Sequence, residues 1–375
     1  MAQGRKLLLF VNDPGFLVSH RLPVALAARE AGYEVHTATA DGPAVAELQR
    51  HGLITHVLPL SRQGRNPLSE LRLLVVLWRL LRQIRPDLLH TVTIKPVIYG
   101  GLAGRLAGVR AVVAAVSGLG AVFIATGFKA RLIRTVVTAL YRLALRRPGQ
   151  KVIFQNPDDR AAFVVQRLVR EADCVMIRGS GVDLSAYPYV PEPEGVPVVI
   201  FAARLLRDKG IEEFIGAARL LRQQGIQAHF LVVGAPDPGN PASVTAADVA
   251  RWQAEGVVEC LGHRTDIAAL FAAANLVVLP SYREGLPRVL VEAAACGRAV
   301  VTTDVPGCRS AIEAGTTGLL VPVRDTAGLA EGMRALITDA PRRRAMGQAG
   351  RALAERAFDI HSVVAQHLAV YRDLL

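Results

Sequence analysis

Two carboxylates stand eight residues apart in the stretch Pro280–Val321, PSYREGLPRVLVEAAACGRAVVTTDVPGCRSAIEAGTTGLLV. Glu284 is followed by Gly285, Leu286 and Pro287, Glu292 lies further on, and the apolar run Leu276 to Leu279 comes just before. That order reads as strand, glycine turn, helix. Pro287 suits the first helical position, where its missing N–H has no partner to lose, and Gly297 suits the left-handed residue that ends a helix. The helix is therefore expected over Pro287 to Cys296. Its N-terminus offers N–H groups beside Gly285 and Leu286, a place for an anion such as a diphosphate, and Glu292 projects from its second turn. A strand, glycine and helix in this order also occur where nothing binds. The two carboxylates are harder to explain by structure alone.

The pattern E-x7-E, followed by Thr303-Asp304-Val305-Pro306-Gly307 and Gly318-Leu319-Leu320-Val321, resembles the donor-binding segment of family 4 nucleotide-sugar glycosyltransferases of the GT-B fold. The resemblance implies that Glu292 binds the ribose hydroxyls, while Glu284 and the N–H groups of Gly285 and Leu286 hold the donor sugar. Upstream, Phe201 to Gly210 (FAARLLRDKG) carries Arg204 and Lys209. In the family an R-x4-K pair neutralises the donor diphosphate. The leaving nucleoside diphosphate gains negative charge as the glycosidic bond breaks, and fixed cations and helix N-termini stabilise that charge. Glu284, Arg204 and Lys209 are thus the catalytic candidates. No metal ion is needed in this scheme, and no D-x-D cluster stands out. Leu261 to Ile267 (LGHRTDI) resembles the family loop that holds the nucleobase, which places the base near His263 and Arg264.

These residues need a scaffold. At 375 residues and 51% apolar content the chain is long enough for two ordinary domains, each with a core. Short apolar runs alternate with helical segments, the pattern of parallel sheets covered by helices. Strands are expected at Lys6 to Val11, Glu34 to Thr39, Ile54 to Leu58, Leu88 to Thr91, Ala111 to Val116 and Val152 to Gln155. A second set is expected at Pro197 to Ala202, Ala228 to Val233, Val257 to Leu261, Leu276 to Leu279, Ala299 to Thr303 and Gly318 to Val321. Tyr187 to Pro197, YPYVPEPEGVP, suits an extended linker between them. The fold class is α/β: two Rossmann-like, doubly wound parallel-sheet domains of the GT-B type, residues 1–186 and 187–357. Ligands of such sheets bind at the carboxyl ends of the strands, here in a cleft between the domains. The final helical segment, residues 358–375, is expected to return to the first domain, as the resemblance implies.

Charge is uneven. The formal net charge is +12; residues 1–190 hold 25 Lys and Arg against 12 Asp and Glu, a net +13, and residues 191–375 hold 19 against 20. Residues 51–150 carry 15 basic side chains against Glu70 and Asp87 alone. A negatively charged partner is implied for the first domain. Leu68 to Ile84 carries Arg72, Arg79 and Arg82 and reads as a core-facing helix with a solvated arginine face. Phe128 to Arg147 carries Lys129, Arg131, Arg134, Arg142, Arg146 and Arg147 with no acidic residue, and is expected to lie on an anionic membrane surface. No nucleic-acid recognition module is visible. Ala111 to Phe128 has the length of a membrane span but is divided by glycines, and reads as a buried strand and a glycine loop. The five-residue apolar run after Lys6 is too short for a signal-peptide core. Cys174, Cys260, Cys296 and Cys308 lack metal-ligand spacing and read as reduced thiols of a cytoplasmic protein.

The acceptor is expected on the first domain. Asn12 to His20 (NDPGFLVSH) reads as a loop before a helix beginning near Arg21-Leu22-Pro23; it is not a dinucleotide fingerprint. In the family this loop faces the donor diphosphate and the acceptor, which makes Gly15 a donor-side candidate and Phe16 and His20 acceptor-side ones. His20 equally suits simple packing at a helix start. His90 to Pro96 (HTVTIKP) is similar to the H-x-x-x-x-K segment of members that build bacterial surface polysaccharides, so Lys95 would meet an acceptor phosphate, or else face solvent. Ser117 and Gly118 stand where many members have a histidine, and a histidine-based role does not transfer. Lys129 and Arg131 complete the acceptor-side candidates.

The resemblance thus implies a retaining enzyme that moves a sugar, an N-acetylhexosamine by subgroup, from a UDP-sugar to a polyprenyl-diphosphate-linked or other cell-surface glycan, working without cofactor at the inner membrane face. No residue stands out as a covalent nucleophile; front-face attack, with the departing phosphate oxygen taking the acceptor proton, fits a metal-free site. A GT-B sugar-nucleotide epimerase, or a non-catalytic two-domain binding protein, would share much of the pattern. The sugar, the choice of UDP over GDP, the linkage and the oligomeric state are not set by the sequence.

Overall fold

A computed structural model describes residues 4–60, 67–118 and 127–375, and divides the chain into two compact units: Met1–Ser180 with His361–Leu375, and Gly181–Ile360. The first unit runs β1 (Lys6–Val11), α1 (Pro14–Glu30), β2 (Glu34–Thr39), α2 (Val45–Arg50), β3 (Ile54–Val57), α3 (Pro67–Ile84), β4 (Leu88–Val92), α4 (Ile94–Ala107), β5 (Ala111–Val116), α5 (Phe128–Leu145), β6 (Gln150–Phe154), α6 (Pro157–Val165) and β7 (Cys174–Met176). Its sheet has the order β3-β2-β1-β4-β5-β6-β7, and every pairing is parallel. Strands buried on both faces read as continuous apolar runs, and β1, β4 and β5 are buried almost throughout.

The second unit runs β8 (Val198–Ala202), α7 (Ile211–Gln223), β9 (His229–Val233), α8 (Ala246–Glu255), β10 (Glu259–Gly262), α9 (Ile267–Ala272), β11 (Leu276–Leu279), α10 (Arg288–Ala295), β12 (Ala299–Thr303), α11 (Pro306–Ala311), β13 (Gly318–Val321), α12 (Thr326–Ile337) and α13 (Ala340–Ala357). Its parallel sheet has the order β10-β9-β8-β11-β12-β13. Both sheets therefore reverse winding direction at their centre, between β1 and β4 in one and between β8 and β11 in the other. These are the switch points at which doubly wound sheets bind ligands.

Two expectations are corrected. The segment Asn12 to His20 is not a loop: α1 begins at Pro14, capped by Asp13, whose Oδ1 accepts from the Phe16 N–H at 2.7 Å. Pro23, read as a start signal, lies inside that helix. A proline is tolerated best in a first turn, so its position misleads where Asp13 and Pro14 supply a better cap and start. Tyr187 to Pro197 lacks regular structure but is not a free linker. Glu192, with a side chain only 5% exposed, pairs with Arg343 at 2.8 Å and Arg344 at 3.0 Å. The Val190 and Pro193 carbonyls accept from Arg298 at 2.9 Å and Asn275 at 2.8 Å. The second unit is already entered at Gly181, and Val182 pairs with Asp359 in an isolated parallel bridge.

The last helix, α14 (Ile360–Leu374), packs Val363, Val370 and Tyr371 into a first-unit core with Leu9, Val24 and Val92. Tyr371 Oη and His90 Nδ1 are 2.6 Å apart, and the His90 and His367 rings lie 5.8 Å apart. Both imidazoles are fully buried, and burial drives both toward the neutral form, His367 down to about 3. A histidine depressed in the folded state binds its proton only after unfolding, so the stability it supports is complete above about pH 6.5 and is lost below it. Guanidinium melts of the first unit are expected to shift to lower denaturant between pH 7.5 and 5.5, and Tyr371→Phe is expected to leave that shift in place, since burial is its main cause.

In α3 the residues Leu73, Leu77, Leu81 and Ile84 face the core, while Arg72, Arg79 and Arg82 are exposed. Leu68 and Leu71 are nevertheless 75% and 58% exposed, and on α5 Ile133, Val136 and Leu143 are about half exposed, with Arg131 and Arg142 exposed on the same helix. Among the described residues no helix is long and apolar enough to cross a membrane.

Candidate active site

Two of the donor-side candidates, Lys209 and Glu284, meet at the switch point of the second unit. Arg204 follows β8, and Lys209 closes the 3-10 turn Arg207–Lys209. Gly210 then takes φ 75°, and a Cβ there would lie 2.1 Å from the Pro280 carbonyl oxygen, so only glycine lets this turn lie against the end of β11. The Asp208 carbonyl accepts from the Tyr282 N–H at 2.8 Å and from Ser281 Oγ at 3.1 Å. These contacts bring Lys209 Nζ to 2.5 Å from Glu284 Oε1, across 75 residues of sequence. The two side chains are 22% and 11% exposed. They form an ion pair at the switch point.

Glu284 and Gly285 are supported from behind by Gly307, in the first turn of α11. A Cβ on Gly307 would lie 2.5 Å from the Glu284 carbonyl oxygen and 2.6 Å from that of Gly285. Cys308, next to it, is buried, and burial pushes its thiol up to about 12, so it is an inert packing residue. Pro287 caps α10 from outside rather than opening it, and Leu286 is partly buried against the cores on either side. Glu292 is 7% exposed; its Oε1 accepts from Tyr187 Oη at 2.8 Å and from Arg288 Nε at 2.7 Å. Burial raises the Glu292 carboxyl, and Arg288 and the Tyr187 hydroxyl act against that shift.

Arg204 is paired as well. The loops after β8 and β9 are joined by a Leu206–Ser243 bridge, which sets Arg204 Nη1 2.8 Å from Asp237 Oδ2. Arg204 remains 57% exposed. His263 and Arg264 lie exposed after β10, where Gly262 has φ 67°, and Arg264 holds Asp266 at 2.5 Å. The sequence did not single out Tyr187, Arg288 or Asp237. Arg288 was open to view, since it stands four residues before Glu292 on the same helix; the other two meet their partners only through folding.

In the first unit the candidates gather at the ends of β1, β4 and β5. Gly15, exposed, and Phe16 lie in the first turn of α1, and His20 stacks on Phe16 with ring centroids 3.9 Å apart. His20 Nδ1 is 2.7 Å from Ser19 Oγ. At the switch point itself Thr93 has φ 76° and ψ 168°, a region nearly confined to glycine, and donates from Oγ1 to Asn12 Oδ1 at 2.9 Å. Neither residue was a candidate from sequence. Lys95 sits in the first turn of α4 rather than on a loop, and its ammonium pairs with Glu70 of α3 at 2.8 Å. Ser117 Oγ is buried with no hydrogen-bond partner among the described residues, and Gly118 has φ 114°. Residues 119–126 and the Lys129 side chain lie outside the described residues, whereas Arg131 is exposed on α5. Among the described residues no group of three or more His, Cys, Asp and Glu could hold a metal ion.

Residues 196–339 match the family model described as glycosyl transferases group 1, and residues 6–156 match the model described as glycosyl transferase 4-like. The chain is 30% identical over 344 residues to the N,N'-diacetylbacillosaminyl-diphospho-undecaprenol alpha-1,3-N-acetylgalactosaminyltransferase of Campylobacter jejuni, covering 88% of this chain and 89% of that one. It is 34% identical over 227 residues to the alpha-maltose-1-phosphate synthase of Mycolicibacterium smegmatis, covering 54% and 58%. Among solved structures, sucrose-phosphate synthase from Thermosynechococcus elongatus superposes with a TM-score of 0.82 at 23% identity, covering 99% of each chain. Anabaena HepE, in complex with UDP and glucose, superposes with a TM-score of 0.79 at 22% identity, covering 98% of this chain and 100% of that one. The class is a two-domain α/β glycosyltransferase. The chain belongs to the family 4 glycosyltransferases of the GT-B fold.

Proposed function

We propose that the enzyme moves an N-acetylhexosamine from a UDP-sugar, with retention of anomeric configuration, to a hydroxyl of a polyprenyl-diphosphate-linked glycan at the cytoplasmic face of the cell membrane. The observation that carries the donor half is the Lys209–Glu284 pair at the switch point of the second sheet, with Arg204 on the neighbouring strand end. In this reading Arg204 and Lys209 bind the diphosphate and take up the charge that develops on it as the glycosidic bond breaks. Glu284 and the N–H groups of Gly285 and Leu286 hold the sugar. Glu292 receives the ribose hydroxyls, and His263 and Arg264 flank the base. The acceptor hydroxyl attacks from the face that the diphosphate leaves, and the departing phosphate oxygen takes its proton. No metal ion enters the scheme.

The acceptor half rests on two supports. The Campylobacter relative, similar over most of both chains, is named for transfer of N-acetylgalactosamine to a diphospho-undecaprenol-linked sugar. The first unit also presents exposed apolar side chains beside arginines on α3 and α5, a combination suited to an anionic bilayer surface. The stacked Phe16–His20 pair with Gly15, and Lys95, Ser117, Gly118, Lys129 and Arg131, are assigned to the reactants on this side. The test is a thermal-shift screen of UDP- and GDP-sugars followed by transfer assays to membrane lipid extracts. Transfer from a UDP-N-acetylhexosamine to a lipid-linked product is expected, at undiminished rate in EDTA. A strict metal requirement, or free UDP-sugar epimers as the only product, would overturn the reading.

A further inference from the structure

Glu292 is gripped on one oxygen only. The Tyr187 hydroxyl and Arg288 Nε both donate to Oε1, and Oε2 accepts from no described residue. We infer that Tyr187 and Arg288 are positioning residues that lock the plane of this carboxylate and present Oε2 to the vicinal hydroxyls of a ribose, so that they set selectivity for ribonucleotides over deoxyribonucleotides. The inference rests on the reading of Glu292 as the ribose ligand.

Three observations support it. The terminal torsion of a glutamate is broad, and one contact leaves the carboxylate free to turn; two donors converging on the same oxygen fix both its position and its plane. Tyr187 is itself held. Its N–H donates to the Asp183 carbonyl at 3.1 Å, and Arg351 of α13 donates to the Tyr187 carbonyl at 3.0 Å and to the Ala295 carbonyl at the end of α10 at 2.7 Å. The ring packs against the same core as Leu286, a task a phenylalanine would perform equally. What the tyrosine adds is the hydroxyl on Glu292. Lastly, helix electrostatics argue against a merely structural pair. Arg288 opens α10 and Glu292 follows one turn later, whereas a helix N-terminus favours acidic residues and the better i,i+4 order puts the glutamate first. The reversed order gives the helix little and gives the carboxylate a fixed partner.

The test is a double-mutant cycle on the full chain, read by calorimetric binding of UDP and 2′-deoxy-UDP, with GDP and its 2′-deoxy form as a second pair. Tyr187→Phe is expected to weaken the ribonucleotide about tenfold, the scale of a lost charge-assisted hydrogen bond, and to weaken the deoxynucleotide far less. In a Glu292→Ala background the same substitution is expected to change neither affinity, because the group it positions is gone. Arg288→Leu is expected to lower the ribo-to-deoxy ratio in the same direction. If Glu292→Ala binds both ribonucleotides as the unaltered chain does, the ribose reading of the site fails. If Glu292→Ala loses binding while Tyr187→Phe keeps both affinity and selectivity, or weakens ribo and deoxy forms alike, or adds its full effect to that of Glu292→Ala, the positioning role is overturned and the site reading stands.

Discussion

Lys209→Ala is expected to lower turnover about 10²-fold or more, the effect of removing one preorganised group that stabilises developing charge, ~2.7 kcal/mol. The geometry makes the lysine hard to replace. Its turn is fixed by Gly210 against Pro280 and by the Asp208 carbonyl against Ser281 and Tyr282, so the backbone that presents the ammonium is held in place. Its partner Glu284, 11% exposed, would lose its counter-charge as well. The check is kcat at saturating donor, with circular dichroism to show that the fold is intact. Turnover within about threefold of the unaltered enzyme would remove Lys209 from the charge-stabilising role, since an effect that small is under 1 kcal/mol.

Gly307→Ala should cost as much although residue 307 need touch no substrate. In isolation the change favours a helix by about 1 kcal/mol. Here the new methyl would lie 2.5 Å from the Glu284 carbonyl oxygen and 2.6 Å from that of Gly285, and both are backbone atoms that cannot swing aside. The turn must move instead, and a displacement near 1 Å in a positioning group costs about 10²-fold in rate. The expected outcome is a folded protein with a kcat/KM loss comparable to that of Lys209→Ala. Full activity would mean that Glu284 and Gly285 tolerate displacement and do not hold the donor sugar.

The scaffold was open to reading because both sheets are parallel and covered, which turns each central strand into a short apolar run with a helical segment after it. β1, β4, β5, β8 and β11 were expected within a residue or so of where they lie. The three-residue edge strand β7 carries no such run and was missed. On the donor side the chemistry is local: two glutamates, a glycine turn and a basic pair, each at fixed spacing beside a strand end. The start of α1 was misplaced because Pro23 imitates a first-turn proline. Partnerships were the least visible part. Tyr187 reaches Glu292 across 105 residues, Lys95 meets Glu70 across 25 and Arg204 meets Asp237 across 33. Such pairs depend on which loops the sheet order brings together, and no local periodicity encodes that.

The pairing of both basic donor-side candidates bears on the proposed transfer. With Asp237 on Arg204 and Glu284 on Lys209, each of these two cations is balanced by a carboxylate. On the proposed reading a nucleotide would enter by exchange, and the displaced carboxylates would stay nearby as like charges. They would oppose the spent nucleoside diphosphate most strongly, since it carries more charge than the sugar-bearing donor. On the proposed reading, these two ion pairs would set residence time as well as grip.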